Sequence, residues 1–195
     1  ASNIENELTK LGIPYAHLKV VVDYLDHSEG WITIENRSVE CTEFGCDVIR
    51  LLISTNKGEA PKPLAKIASG GEISRIMLAL KSILAKEHSL PVMVFDEIDT
   101  GISGEISEKV GTAMRKLSTY CQILAITHQP QIASQAHHHY KVQKIEVNDR
   151  TTTTIIPLTN DEHIYEVASL MSGAEITSAA LESAKQLVQK QSSLN

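Results

Sequence analysis

The chain has little that would tie it to a membrane, an oxidising compartment or a polyanion. No run approaches the ~18 apolar residues that a membrane-spanning helix needs, and the amino terminus shows no signal-peptide pattern. Cysteine is scarce: Cys41, Cys46 and Cys121 are odd in number and none lies in a C-x-x-C. That argues against a disulfide framework or a zinc site and for a reducing cytoplasm. Basic charge is also short, with 18 Lys and Arg against 24 Asp and Glu and a formal net charge of −6. No net electrostatic pull toward nucleic acid follows, so any DNA contact needs a local basic patch or another part of the protein. One further absence carries most weight. There is no G-x-x-x-x-G-K-[ST], and no glycine is followed by lysine, so the loop that cradles a nucleotide triphosphate is missing.

What is present suits one domain or one large lobe, since 195 residues are enough to build a real core. Ile4, Leu8 and Leu11 form an i, i+4, i+7 stripe on a polar helix of about three turns, which Gly12 and Pro14 stop. So short a helix is marginal alone and reads either as an ordinary amino-terminal helix or as the stub of something longer. Runs rich in Val, Ile and Thr follow at Leu18–Leu25, Gly30–Glu40 and Asp47–Ser54 and predict strands. Pro61 and Pro63 forbid a helix in the loop that begins at Asn56. From Gly71 the pattern alternates helix, strand, helix, strand, the rhythm of a largely parallel α/β sheet. A β pair near Tyr140–Val147 and Thr152–Leu158 comes next, and helices near Asn160–Met171 and Glu175–Gln189 close the chain.

Three pieces carry chemistry. Ser69-Gly70-Gly71-Glu72 reads locally as a capping box, opening a helix with Ile73, Ile76, Met77, Leu80, Ile83 and Leu84 on one apolar face. Two glycines in a first turn each cost up to about 1 kcal/mol relative to alanine. They permit close approach to the backbone, and a helix amino terminus offers N–H groups and a positive dipole to an anion. The second piece runs from Leu90 to Asp99. Val92 to Phe95 suits a strand buried on both faces, with Asp96 and Glu97 at its carboxyl end, where open α/β sheets bind ligands. Adjacent carboxylates there suggest Asp96 directed at Mg²⁺ and Glu97 polarising a water; solvent-facing acids are the plainer alternative. The third piece is a second apolar strand run, Ile123 to Ile126, ending in Thr127-His128, with His128 placed to meet a γ-phosphate.

In this order the pieces resemble the ATP-binding-cassette ATPases, and among them the carboxyl-terminal head lobe of SMC-like proteins. Ser69-Gly70-Gly71-Glu72 matches the signature motif, Val92 to Glu97 the Walker B strand, Asp99 the D-loop and His128 the switch histidine. The wording of Ser54 to Glu59, Lys62 to Arg75, Phe95 to Ile102 and Thr127 to Gln131 is similar to the RecN family of DNA double-strand-break repair proteins. The resemblance implies ATP and Mg²⁺ as cofactors and a P-loop NTPase-like head lobe, α/β, with an added β region, over residues 12–195. It implies that Ser69, Gly70, Gly71 and Glu72 meet the γ-phosphate of ATP held by a second head. Asp96 would order Mg²⁺, Glu97 would be the general base, Asp99 would couple the heads, and His128 would sense the phosphate. Arg75 either braces the signature loop or is an ordinary solvated or salt-bridged arginine.

The missing phosphate loop then implies a partner: an amino-terminal P-loop lobe, joined in this family through a coiled coil whose returning arm would end in residues 1–11. Further partners are a second head in an ATP-dependent homodimer and DNA, in a cytoplasmic, nucleoid-associated setting with no membrane. The chain alone is expected not to hydrolyse ATP. A helicase core, suggested by the D-E-x-D of Asp96 to Asp99, would carry its P-loop upstream in the same domain and lacks the S-G-G-E. A non-enzymatic dimerisation or partner-docking lobe is the remaining alternative. His137-His138-His139 precedes a strand that would split it across two faces, and Lys57, Lys62 and Lys66 form a modest basic loop open to phosphate or merely solvated.

Overall fold

The apolar stripe of the first helix is turned inward. α1 spans Ser2–Lys10; Leu8 and Leu11 are buried, and Ile4 packs against the same core. A computed structural model describes residues 1–67, 69–84, 91–147, 150–173 and 175–192. Ala68 and Leu90, which belong to the expected motifs, lie outside the described residues. The Glu5 carboxylate ties α1 to the first strand, accepting from the Leu18 N–H at 2.8 Å and lying 3.1 Å from Nδ1 of His17.

That strand, β1 (His17–Tyr24), pairs antiparallel with β4 (Asp47–Ser54), and β4 carries the short β5 (Lys62–Pro63) on its other edge. The run expected as one strand from Gly30 to Glu40 is instead a hairpin, β2 (Ile32–Ile34) and β3 (Arg37–Val39). Glu35 and Asn36 both have positive φ, 49° and 61°, the two-residue turn whose hand matches the twist of paired strands. A second correction concerns cysteine: Cys41 and Cys46 are disulfide-bonded, and Cys121 is the free thiol. An odd count weakens a framework but says nothing against one short-range pair. Here reciprocal backbone bonds between Thr42 and Gly45 close a turn, bring the two Cα atoms to 4.2 Å and leave Phe44 at its tip 92% exposed.

The α/β rhythm appears as α2 (Gly70–Leu84), β6 (Val92–Phe95), α3 (Gly104–Leu117), β7 (Gln122–Ala125) and the short α4 (Pro130–Ala133). β6 and β7 are parallel, from Val92 opposite Gln122 to Phe95 opposite Ala125. Among the described residues, parallel pairing is confined to these two strands. The fold class is α/β all the same, with antiparallel sheets added before and after.

Alternation along β6 overturns the expectation of a strand buried on both faces. Met93, Phe95 and Ile123 join the core with Ile76 and Leu78 of α2 and Val110 and Met114 of α3. Val92, Val94, Leu124 and Ile126 point the other way and are exposed, Val94 by 64% and Ile126 by 61%. Apart from Gln122, both strands are apolar on both faces, yet the helices described cover only one. Beyond α4, β8 (Tyr140–Val147) and β9 (Arg150–Pro157) form a hairpin. α5 (Asn160–Ser172) begins with a capping box between Thr159 and Glu162. α6 (Ser178–Ser192) packs on it over Val167, Ala168 and Ala184, with Ala133 of α4. No helix among the described residues is long and apolar enough to cross a membrane.

Candidate functional site

The amino terminus of α2, the carboxyl end of β6 and the carboxyl end of β7 meet at one end of the parallel pair. Ser69 caps α2 as the sequence predicts: its Oγ accepts from the Glu72 N–H at 3.3 Å. The glycines have a steric reason. A Cβ on Gly71 would lie 2.9 Å from the Glu97 carbonyl oxygen and 3.1 Å from that of Thr100; one on Gly70 would lie 2.5 Å from Oε2 of Glu97. The loop after β6 therefore packs directly on backbone, the close approach that glycine allows.

Asp96 and Glu97 are both exposed. Oδ1 of Asp96 accepts from the Glu97 N–H at 2.9 Å, leaving Oδ2 as a hard oxygen donor of the kind magnesium takes. Glu97 has a φ of 56°, a left-handed conformation that costs a non-glycine residue roughly 1–2 kcal/mol. Such strain persists where surrounding contacts over-determine it, and it gathers at functional sites. Here Gly71 leaves no room for the loop to relax, and the Ser74 hydroxyl holds the preceding carbonyl, donating to Asp96 O at 2.9 Å.

Asp99 faces inward. It is 3% exposed, and its Oδ2 accepts from the Thr127 hydroxyl at 2.5 Å and from the His128 N–H at 2.9 Å, while Nδ1 of His128 lies 3.1 Å away. The loop after β6 is thereby tied to the polar end of β7. The His128 ring itself is exposed at the rim.

Arg75 is not solvated, and it forms no salt bridge among the described residues. It is 5% exposed, and its Nη1 donates to the carbonyls of Ile98 at 3.3 Å and Thr100 at 3.1 Å. Burial pushes its pKa down, and nearby Glu72 opposes that. The buried face of α2 is accordingly Gly71, Arg75, Ile76, Leu78 and Ala79, rotated from the expected face; Ile83 and Leu84 are exposed. An arginine inside a helix face disguises that face when apolar spacing alone is read.

Residue chemistry gives Ser74 no role and offers Thr127 only as the polar neighbour of His128. Ser74 stands one turn after Gly70, and that spacing alone puts it on the side facing Asp96. Elsewhere, His139 meets His163 of α5 edge to face, ring centroids 4.9 Å apart, while His137 and His138 stay at the surface. Lys57, Lys62 and Lys66 are exposed, and Lys62 lies 4.0 Å from Glu59.

No protein-family model matches the chain. Curated relatives do. The chain is 40% identical over 157 residues to the DNA repair protein RecN of Bacillus subtilis, covering 80% of the chain and 27% of that protein. RecN of Rickettsia conorii is 46% identical over 155 residues (80% and 28%), and RecN of Rickettsia prowazekii 38% over 186 residues (95% and 31%). The chain thus spans less than a third of the length of these relatives. Among solved structures it is similar to the Smc head domain with coiled coil and joint of Pyrococcus yayanosii, with a TM-score of 0.55 at 18% identity over 88% of the chain and 29% of that structure. The Smc head domain with extended coiled coil of Pyrococcus furiosus, bound to the carboxyl-terminal domain of ScpA, gives 0.52 at 18% identity, covering 88% and 37%.

Proposed function

We propose that this chain, a homologue of part of the bacterial RecN proteins with the fold of an SMC-like ATPase head fragment, works as the lobe that completes an ATP site during DNA double-strand-break repair. The observation that carries the reading is the convergence of the Ser69–Glu72 loop, Asp96-Glu97 and Thr127-His128 at one sheet end. The rest of the machinery would come from an amino-terminal P-loop lobe and a second head. DNA would be engaged through the complete protein, and residues 1–11 would continue into a coiled-coil arm.

The roles follow from the chemistry of each group. Asp96 offers one free carboxylate oxygen to magnesium, whose bound form supplies charge neutralisation for the phosphates. Glu97, exposed beside it, accepts the proton of the attacking water. His128 projects at the rim, where its ring can donate to a γ-phosphate. Ser69 Oγ and the Gly71 N–H, at a helix amino terminus, form an anion-binding edge for a triphosphate held by the second head. Asp99 sets the spacing between the loop after β6 and His128. The uncovered Val92, Val94, Leu124 and Ile126 face supports a lobe docked against the parallel pair, because so much contiguous apolar surface is a feature of interaction sites.

The test is reconstitution. The chain alone is expected to show no ATP turnover, and mixing it with a RecN P-loop lobe is expected to restore turnover that Glu97→Gln abolishes. Restored turnover that survives Glu97→Gln would show that Glu97 is not the base. A non-enzymatic docking lobe, which the same apolar face also favours, predicts stable assembly with no turnover in any mixture.

A further inference from the structure

A buried guanidinium whose described partners are two neutral carbonyls is an expensive way to fill a core. Desolvating a charge costs several kcal/mol unless partners of good geometry compensate. Arg75 has Ile98 O and Thr100 O on one nitrogen, and its buried Nε has no partner among the described residues. No described carboxylate forms an ion pair with it. An apolar side chain of similar length would pack the site without that cost. The retained charge fixes something else: the backbone of residues 98 to 100.

That short loop is clamped twice. From α2, Arg75 holds the carbonyls on either side of Asp99. From the end of β7, Thr127 and His128 hold the Asp99 carboxylate through Oδ2. Gly71, one turn before Arg75, has no room for a side chain against the carbonyls of Glu97 and Thr100, so a displacement of the helix start bears on the same loop. We infer that Arg75 is a positioning residue that couples the Ser69–Glu72 loop to His128 through the Ile98–Thr100 loop. A single guanidinium nitrogen, Nη1, bridges the two carbonyls across the loop, and a loop so held transmits a shift of α2 to the Asp99 carboxylate and hence to His128. Its bearing on ATP turnover rests on the function proposed above, whereas the mechanical coupling does not.

Amide hydrogen exchange tests the coupling, because His128 is far from Arg75 in sequence and no hydrogen bond or ion pair among the described residues joins them directly. Arg75→Met should lower protection of the His128 and Gln129 amides about tenfold, the scale of a modest coupling energy. Amides of α5 and α6 should stay unchanged. Arg75→Lys, which keeps a charged donor nitrogen but on a shorter side chain, should fall between. Unchanged exchange at His128, or loss spread evenly over all helices, overturns the inference, the second outcome marking a merely structural arginine. A second arm measures ATP turnover with the P-loop lobe. Arg75→Met should cut kcat more than KM, with partial rescue by lysine; an equal loss in both overturns the role in turnover. If wild type gives no turnover while exchange at His128 still responds, the coupling stands and the proposed function fails.

Discussion

Gly70 and Glu97 share one space: a methyl group on Gly70 would lie 2.5 Å from Oε2 of Glu97. The candidate general base rests, in the free lobe, on the start of its own signature-like helix. Glycine at 70 is thus a matter of where a carboxylate sits, and glycine at 71 a matter of backbone.

The two glycines should respond differently to alanine. At Gly70 the neighbour is the far end of a flexible side chain, so Gly70→Ala should leave stability within about 1 kcal/mol of wild type while moving Glu97. At Gly71 the neighbours are backbone carbonyls, so Gly71→Ala should destabilise by about 1–3 kcal/mol. Urea denaturation of both variants checks this, and equal losses would contradict the contact geometry.

Asp99, a proposed site residue, should also carry stability. Asp99→Ala leaves the partly buried Thr127 hydroxyl and the His128 N–H without their acceptor, which should cost about 1–2 kcal/mol. Asp99→Asn, able to accept through its carbonyl, should cost less. A denaturation midpoint for Asp99→Ala equal to that of wild type would remove Asp99 from the loop's scaffold.

Acid sensitivity should begin with the histidine pair. Burial pushes the pKa of His163 down, and His139 beside it adds to this. Burial lowers His139 too, with Glu166 opposing and Lys141 reinforcing. The unfolded chain therefore binds more protons than the folded one as pH falls through about 6.5, and stability must drop in that direction. Glu5, Asp23, Glu105 and Glu162 have lowered pKa values and stay ionised through this window. The urea midpoint should fall between about pH 7.5 and about pH 5.5, and His163→Gln should shrink that fall. A fall of unchanged size in His163→Gln would assign the effect elsewhere.

The exposed face of the parallel pair should tolerate charge in the isolated chain. Val94 is largely solvent-exposed, so Val94→Glu should alter stability by less than about 0.5 kcal/mol. The same change should weaken capture of a P-loop lobe about tenfold or more, since it places a carboxylate against an apolar interface. Titration calorimetry with the lobe reads this directly; unaltered affinity would put the docking surface somewhere else.

Much of the site was legible in the sequence because its signals are local. Ser69 caps α2 through a bond three residues long, and β4 and β8 begin and end where their apolar spacing says. The β2–β3 hairpin was not legible, since Glu35-Asn36 is not among the turn pairs that announce positive φ. Nor was the Cys41–Cys46 bond, which depends on a turn that only closes in three dimensions. The sequence leaves two roles open for Arg75 because a charged residue on a helix gives no hint that the opposing surface is a pair of carbonyls.

The sequence by itself determined the ordered set of chemical groups: a glycine-rich helix start, two carboxylates after one apolar strand, a threonine and histidine after the next, and no phosphate-cradling loop. Those properties are covalent and periodic, so they need no fold to be seen. Only the tertiary structure decided how they act together. It set the Ile98–Thr100 loop between Arg75 and Thr127-His128, turned Asp99 inward, rested Glu97 on Gly70 and left one apolar sheet face uncovered. Each of these follows from contacts between residues distant in the chain, where packing and hydrogen-bond satisfaction prevail over local preference.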